Sequence, residues 1–155
     1  MPLRSWYAAM ALPLVLASEP AFACRFQREP NLNEIKQADV VVIGKITEYQ
    51  VVRPEGAGFY SRFIVQVDQV IVGTASDRLP VTWENSTFGQ PEKMAEGPYL
   101  IALHAGSMAS YITGSPHREP NVMSVLQEPC SRALMFDVSS NEARIMRDIL
   151  AAGKE

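Results

Sequence analysis

Cysteine and histidine are scarce, with two of each among 155 residues. Neither His104 nor His117 has a partner at metal-ligand spacing, so the chain is expected to hold no metal or cofactor of its own. It also lacks a glycine-rich phosphate loop, a nucleophile elbow and a paired-histidine motif. Those absences remove the usual signatures of nucleotide, acyl-transfer and metalloprotease chemistry. Excess basic charge is missing too: 14 Lys and Arg stand against 17 Asp and Glu, a net charge of −3. That is the wrong sign for gripping a phosphate backbone. Aromatics make up 8%, and the cluster Phe59, Tyr60 and Phe63 has only Arg53 and Arg62 near it, a poor platform for stacked bases. No nucleic-acid partner is expected.

What remains is enough for one folded domain. Hydrophobic residues are 47% and charged residues 20%, so a core can form and wholesale disorder is excluded. The first residues read as an address. Arg4 precedes the uncharged, mostly apolar run Trp6 to Ala17, and Pro20 follows it. The run has 12 residues, well short of the roughly 20 that cross a bilayer as a helix. Ala21-Phe22-Ala23 then places small residues where signal peptidase needs them. Residues 1–23 are therefore expected to be a signal peptide cut between Ala23 and Cys24. Residues 24–155 form a single domain, secreted or periplasmic.

Cleavage there makes Cys24 the N-terminus, which leaves two fates open. In an oxidising compartment Cys24 can pair with Cys130, and closing a loop of about 100 residues is worth ~4–5 kcal/mol in the chain-entropy model. Alternatively Cys24 is acylated, as in bacterial envelope lipoproteins. Against that pattern, Ala21 stands where a leucine is expected and bulky Phe22 where a small residue belongs.

The body of the chain reads as mainly β. Asn31 to Gln37 suits a short helical turn, with Asn31 as cap and Glu34 reaching back to it. Ala38 to Ile46 is β-branched and apolar on both faces, as in a buried barrel or sandwich strand. After turn residues at 53–58, Phe63, Val65 and Val67 alternate with Arg62, Gln66 and Asp68, a strand with one wet face that Gly73 closes. Leu79, Val81 and Trp83 give a third strand. Tyr99, Ile101 and Leu103 give a fourth after a polar loop at 85–97, with His104 on the opposite face. Val122 to Leu126 gives a fifth, after a long surface loop at 105–121. Ser139 and Glu142 form a capping box for a helix whose stripe is Ile145, Met146, Ile149 and Leu150, and Ala151 to Glu155 should fray. Five strands with a closing helix predict a small OB-fold-like Greek-key barrel rather than a sandwich.

A chain starting at cysteine, followed by Ala38-Asp39-Val40-Val41-Val42-Ile43-Gly44-Lys45-Ile46, resembles the netrin-like (TIMP-like) domain of tissue inhibitors of metalloproteinases. Phe63 to Val67 with Val70 and Gly73 is similar to that family's second strand. Gly97-Pro98-Tyr99-Leu100-Ile101-Ala102 is similar to its fourth, and Cys130 and the final helix follow in the family's order. The resemblance implies that Cys24 offers its α-amine and carbonyl oxygen to a protease's zinc. The amine must be neutral to do so, and its reference pKa of about 7.7–8.0 leaves a fraction available. The chain departs from the family at Phe26, where a second cysteine belongs, and at Arg25, where a small hydroxyl residue belongs.

The expected function is an exported, non-enzymatic module that binds a protein partner through Cys24, Arg25 and Phe26 and the neighbouring polar loops. Metalloprotease inhibition through Cys24 is the alternative, with a zinc metalloprotease as the partner. A membrane association is expected only if Cys24 is lipidated, and the chain is expected to be a monomer. Trp83 reads as core. A hydrolase built on Glu84 or His104 finds no support in residue spacing. Asn85-Ser86-Thr87 is a glycosylation pattern that would matter in a eukaryote.

Overall fold

The run Val40-Val41-Val42-Ile43 puts an apolar side chain on each face of an extended chain, so both faces must be covered. The computed structural model describes residues 26–54, 59–84, 90–105, 119 and 121–153, and it covers both. Strand β1 (Val40–Val52) forms a long hairpin with β2 (Tyr60–Val72), followed by β3 (Arg78–Trp83) and β4 (Tyr99–His104). After β5 (Met123–Val125) and β6 (Met135–Asp137) comes helix α1 (Asn141–Ala152). The sheet runs β1-β2-β3-β5-β4, and β4 pairs back onto β1, closing a five-stranded barrel. The β3–β5 pair is parallel and its neighbours are antiparallel. This is the expected OB-like Greek-key barrel.

Closure sorts the side chains. Val40, Val42, Ile46, Phe63, Val65, Val81, Trp83, Ile101 and Leu103 fill the barrel. Val41, Leu100 and Ala102 point outward, where Phe136, Ile35 of the 3-10 helix Leu32–Gln37, and Ala143 and Met146 of α1 cover them. The wet face of β2 is also as expected: Arg62 and Gln66 are exposed while Phe63 and Val65 are buried.

Two glycines permit the bends. Gly44 is the partner of Val67 on one side and Tyr99 on the other. A β-carbon there would lie 2.4 Å from the Gln66 carbonyl oxygen and 2.8 Å from a Val65 methyl. Gly73 ends β2 with φ +74, and its β-carbon would meet the Asp39 carbonyl oxygen at 2.3 Å. Register shifts at Val41/Val42, Ile43/Gly44 and Thr47/Gln50 curve β1 further.

Several boundaries differ from the sequence expectation. The leading strands are longer, 13 residues each, because β1 runs on past Ile46 and β2 begins before Arg62, Val51 and Val52 pairing with Ser61 and Tyr60. A sixth strand, β6, takes the Tyr99–Ile101 part of the β4 edge, and β5 takes Leu103 and His104. The helix is capped by Ser140, whose Oγ accepts from the Ala143 N–H at 3.1 Å. Ser139 and Glu142 therefore form no capping box, since Ser139 is held by Asp137. Ala151 and Ala152 remain helical rather than frayed. In the 3-10 helix Asn31 caps and Glu34 reaches back to it as expected, accepting from its side-chain amide at 3.1 Å. Most of 105–121 and all of 55–58 lie outside the described residues. Among the described residues no helix is long and apolar enough to cross a membrane.

Gly44→Ala should cost about 1–3 kcal/mol, the range for overpacking, read as a lower urea midpoint at unchanged slope. An unmoved midpoint would mean that β1 and β2 can separate locally without loss. A second expectation concerns Asp137, whose Oδ1 accepts from the Ser139 N–H at 2.8 Å and its hydroxyl at 2.5 Å. These bonds hold its carboxyl below the usual carboxylate range. Its contribution is thus present above the unfolded-state Asp pKa and is lost as pH falls through the lower folded value. Asp137→Asn should flatten that part of an acid-unfolding curve.

Candidate functional site

Of the expected contact residues, Cys24 and Arg25 lie outside the described residues, as do the cleavage residue Ala23, His117 and Asn85-Ser86-Thr87. Phe26 is described and is 78% exposed. Two residues on, the arm meets the barrel. The Arg28 N–H donates to the Cys130 carbonyl at 2.7 Å, and the Arg132 N–H donates to the Arg28 carbonyl at 3.1 Å. Arg28 and Ser131 thereby form a parallel β-bridge. The Arg28 guanidinium adds a bond to the Pro129 carbonyl at 3.0 Å, and Arg132 reaches Glu29 at 3.5 Å while lying over the Phe136 ring.

The anchor exists because the chain leaves the β4 edge between β5 and β6. Leu126 donates its N–H to the Ala102 carbonyl at 2.8 Å, Ala102 donates to Leu134 at 2.9 Å, and Leu134 donates to Leu126 at 2.9 Å. These bonds pin the two ends of an excursion that carries Cys130. Cys130 itself has φ +65, a backbone state that non-glycine residues adopt only where the surroundings hold it.

A buried polar chain ties the excursion to the barrel interior. Trp83 donates from Nε1 to Gln127 Oε1 at 2.8 Å, and Gln127 Nε2 donates to the Ser131 carbonyl at 2.7 Å. On the far side of Trp83, Gln90 donates to its carbonyl at 2.7 Å. The described part of the polar loop, from Gln90, is thus connected to the arm's anchor through one tryptophan. Trp83 is core, as its type suggested, and its indole N–H satisfies the demand that burial imposes.

The other sequence candidates fall elsewhere. His104 is buried at the end of β4, on the face opposite Ile101 and Leu103, and its Nδ1–H donates to the Ala105 carbonyl at 2.9 Å. Glu84 follows β3 and is half-buried. Phe63 is core and Tyr60 is buried with its hydroxyl donating to Glu119 at 2.8 Å, so neither offers a face to a base. Among the described residues no three His, Cys, Asp or Glu side chains gather as a metal site.

The residues that seat the arm, Arg28, Gln127, Ser131 and Arg132, carry no local pattern. The one available signal was the buried Trp83, which needs an acceptor. No protein-family model matches the chain, and no curated protein matches it in sequence.

Gln127→Ala leaves the Trp83 donor and the Ser131 carbonyl without that side chain, at a cost of about 1–3 kcal/mol for stranded buried groups. It should also loosen the arm, so limited trypsin should cut after Arg28 faster under conditions where the barrel stays folded. Unchanged cleavage would mean that the backbone bridge alone holds the arm.

Proposed function

We propose that this chain is an exported, non-enzymatic protein-binding module of netrin-like type that presents its N-terminal arm from the edge of the barrel. The observation that carries the reading is the seat of the arm: two backbone hydrogen bonds between Arg28 and the Cys130–Arg132 turn. They fix the chain two residues beyond an aromatic side chain left exposed to solvent. Seating the backbone this close to the aromatic lowers the entropy lost on docking, which suits Phe26 as a binding anchor.

Export supplies the oxidising compartment in which Cys24 and Cys130 pair. Support for that pairing comes from the arm's proximity to the Cys130 turn and from Cys130 not being a free thiol. The bridge would make the arm's end as rigid as its root. Inhibition of a zinc metalloprotease is the sharper form of the same reading. It needs the free Cys24 amine, whereas simple docking through Phe26 does not.

Intact mass of the exported protein tests the frame. Residues 24–155, gaining two hydrogens on reduction, are expected; a lipid-sized increment would make Cys24 an anchor instead. A photo-crosslinking residue placed at Phe26 in the source cells then tests docking. One discrete protein adduct is expected there and none from the same residue at Asp148 on α1. Equal labelling from both positions, or none from Phe26, would end the arm reading. If an adduct is a metalloprotease, acetylating the Cys24 amine decides between inhibition and docking.

A further inference from the structure

The wet face of the β1–β2–β3 sheet carries a cleft of about 220 Å³. Its walls are two adjacent rungs. Gln50 faces Arg62 across β1 and β2, and Ile64 faces Pro80 across β2 and β3. Glu119 and Glu48 complete the rim. With its amide oxygen turned toward the guanidinium, Gln50 accepts from Arg62 Nη2 at 3.0 Å and Nε at 3.2 Å. Arg62 also lies 3.8 Å from Glu119, whose carboxylate accepts from the Tyr60 hydroxyl. Glu48 is bonded to Arg78 at 2.6 Å.

The charge arrangement selects the ligand. Two carboxylates balanced by two guanidiniums leave the rim no net charge to attract an anion, so phosphate, carboxylate and nucleic acid gain no Coulombic advantage there. Each carboxylate already faces a guanidinium, so a cation would have to displace an existing pair. A neutral ligand rich in hydroxyls meets neither obstacle. Its hydroxyls donate to Glu48 and Glu119 and accept from Arg62 and Gln50, since each hydroxyl both donates and accepts. The apolar floor of Ile64 and Pro80 suits the C–H face of a sugar ring. The volume lies below the about 300–1,000 Å³ of drug-sized sites, which limits the occupant to about one ring.

We propose that this cleft binds a single ring of a neutral glycan, held by Arg62 and Gln50 over Ile64 and Pro80. The site is independent of the arm, so the chain would hold a glycan and a protein on separate surfaces.

The test uses the mature protein on immobilised neutral oligosaccharides of hexose and N-acetylhexosamine, with anionic glycans alongside. Neutral glycans should be retained, with saturable shifts of the Gln50, Arg62 and Ile64 amide resonances. Gln50→Ala, Arg62→Ala and Arg62→Lys should each weaken retention at least tenfold, the last because lysine keeps the charge but loses the planar fork. Arg62 is half-exposed, so these variants should keep the parent urea midpoint. Phe26→Ala should bind glycan normally, which separates failure here from failure of the arm. The proposal is overturned if no neutral glycan is retained, if only anionic glycans are, or if Arg62→Ala binds as well as the parent. A protein adduct from a photo-crosslinker at Ile64 would likewise overturn it.

Discussion

The fold depends on β1 pairing with two strands at once. From Val40 to Gly44 it pairs with β4 on one edge while β2 occupies the other, and that double pairing turns a curled sheet into a barrel. Once the barrel is closed, alternation along β1 decides everything else. Val40 and Val42 enter the barrel, and Val41 is forced outside, where it must be covered. The 3-10 helix and α1 do so and bury Ile35, Ala143 and Met146 against it. Gly44 sits at the end of the double pairing, where the Gln66 carbonyl comes too close for any side chain. Beyond it β1 leaves β4 and runs on with β2 alone.

The same closure creates the seat for the arm. The β4 edge opposite β1 is shared by β5 and β6, and the chain between them must leave the edge and return. A loop made this way buries backbone and needs polar partners. Gln127 supplies them by joining the Trp83 indole inside the barrel to the Ser131 carbonyl beneath the arm. Removing one member strands the others in a poorly solvated place, which couples arm order to core integrity. An arm anchored in this way does not need its own hydrophobic packing, which leaves Phe26 exposed.

Local patterns were legible in the sequence and non-local ones were not. Phe63, Val65 and Val67 alternate cleanly, and the third and fourth strands were readable for the same reason. Strand β6 (Met135–Asp137) was missed although β5 is equally short, because what makes it a strand is its pairing with Tyr99–Ile101, a non-local contact. The helix start slipped by one because Ser139 and Ser140 are both competent caps. Asp137 decides between them by taking Ser139 into its own turn. The arm's anchor joins residues near 28 to residues near 131, and no periodicity links positions so far apart. In the cleft, Arg62 was visible only as the polar half of an alternation. Its partners Gln50 and Glu119 come from other parts of the chain.

Glu48 marks the irregularity that shapes the outer end of the hairpin. It has φ +55, a state that costs a non-glycine residue about 1–3 kcal/mol when imposed. Its ion pair with Arg78 joins two largely exposed side chains, and such pairs return only about 0–1 kcal/mol. The salt bridge therefore does not offset the strain. What the residue does secure is geometric: it lies in the register shift between Thr47 and Gln50, which sets Gln50 opposite Arg62. An ordinary strand without the shift would exchange the faces of alternate residues and direct Gln50 away from that rung. The strained backbone and the polar rung are consequences of one irregularity, which also turns Tyr49 onto the barrel core, its ring stacked on Phe63 at 6.0 Å.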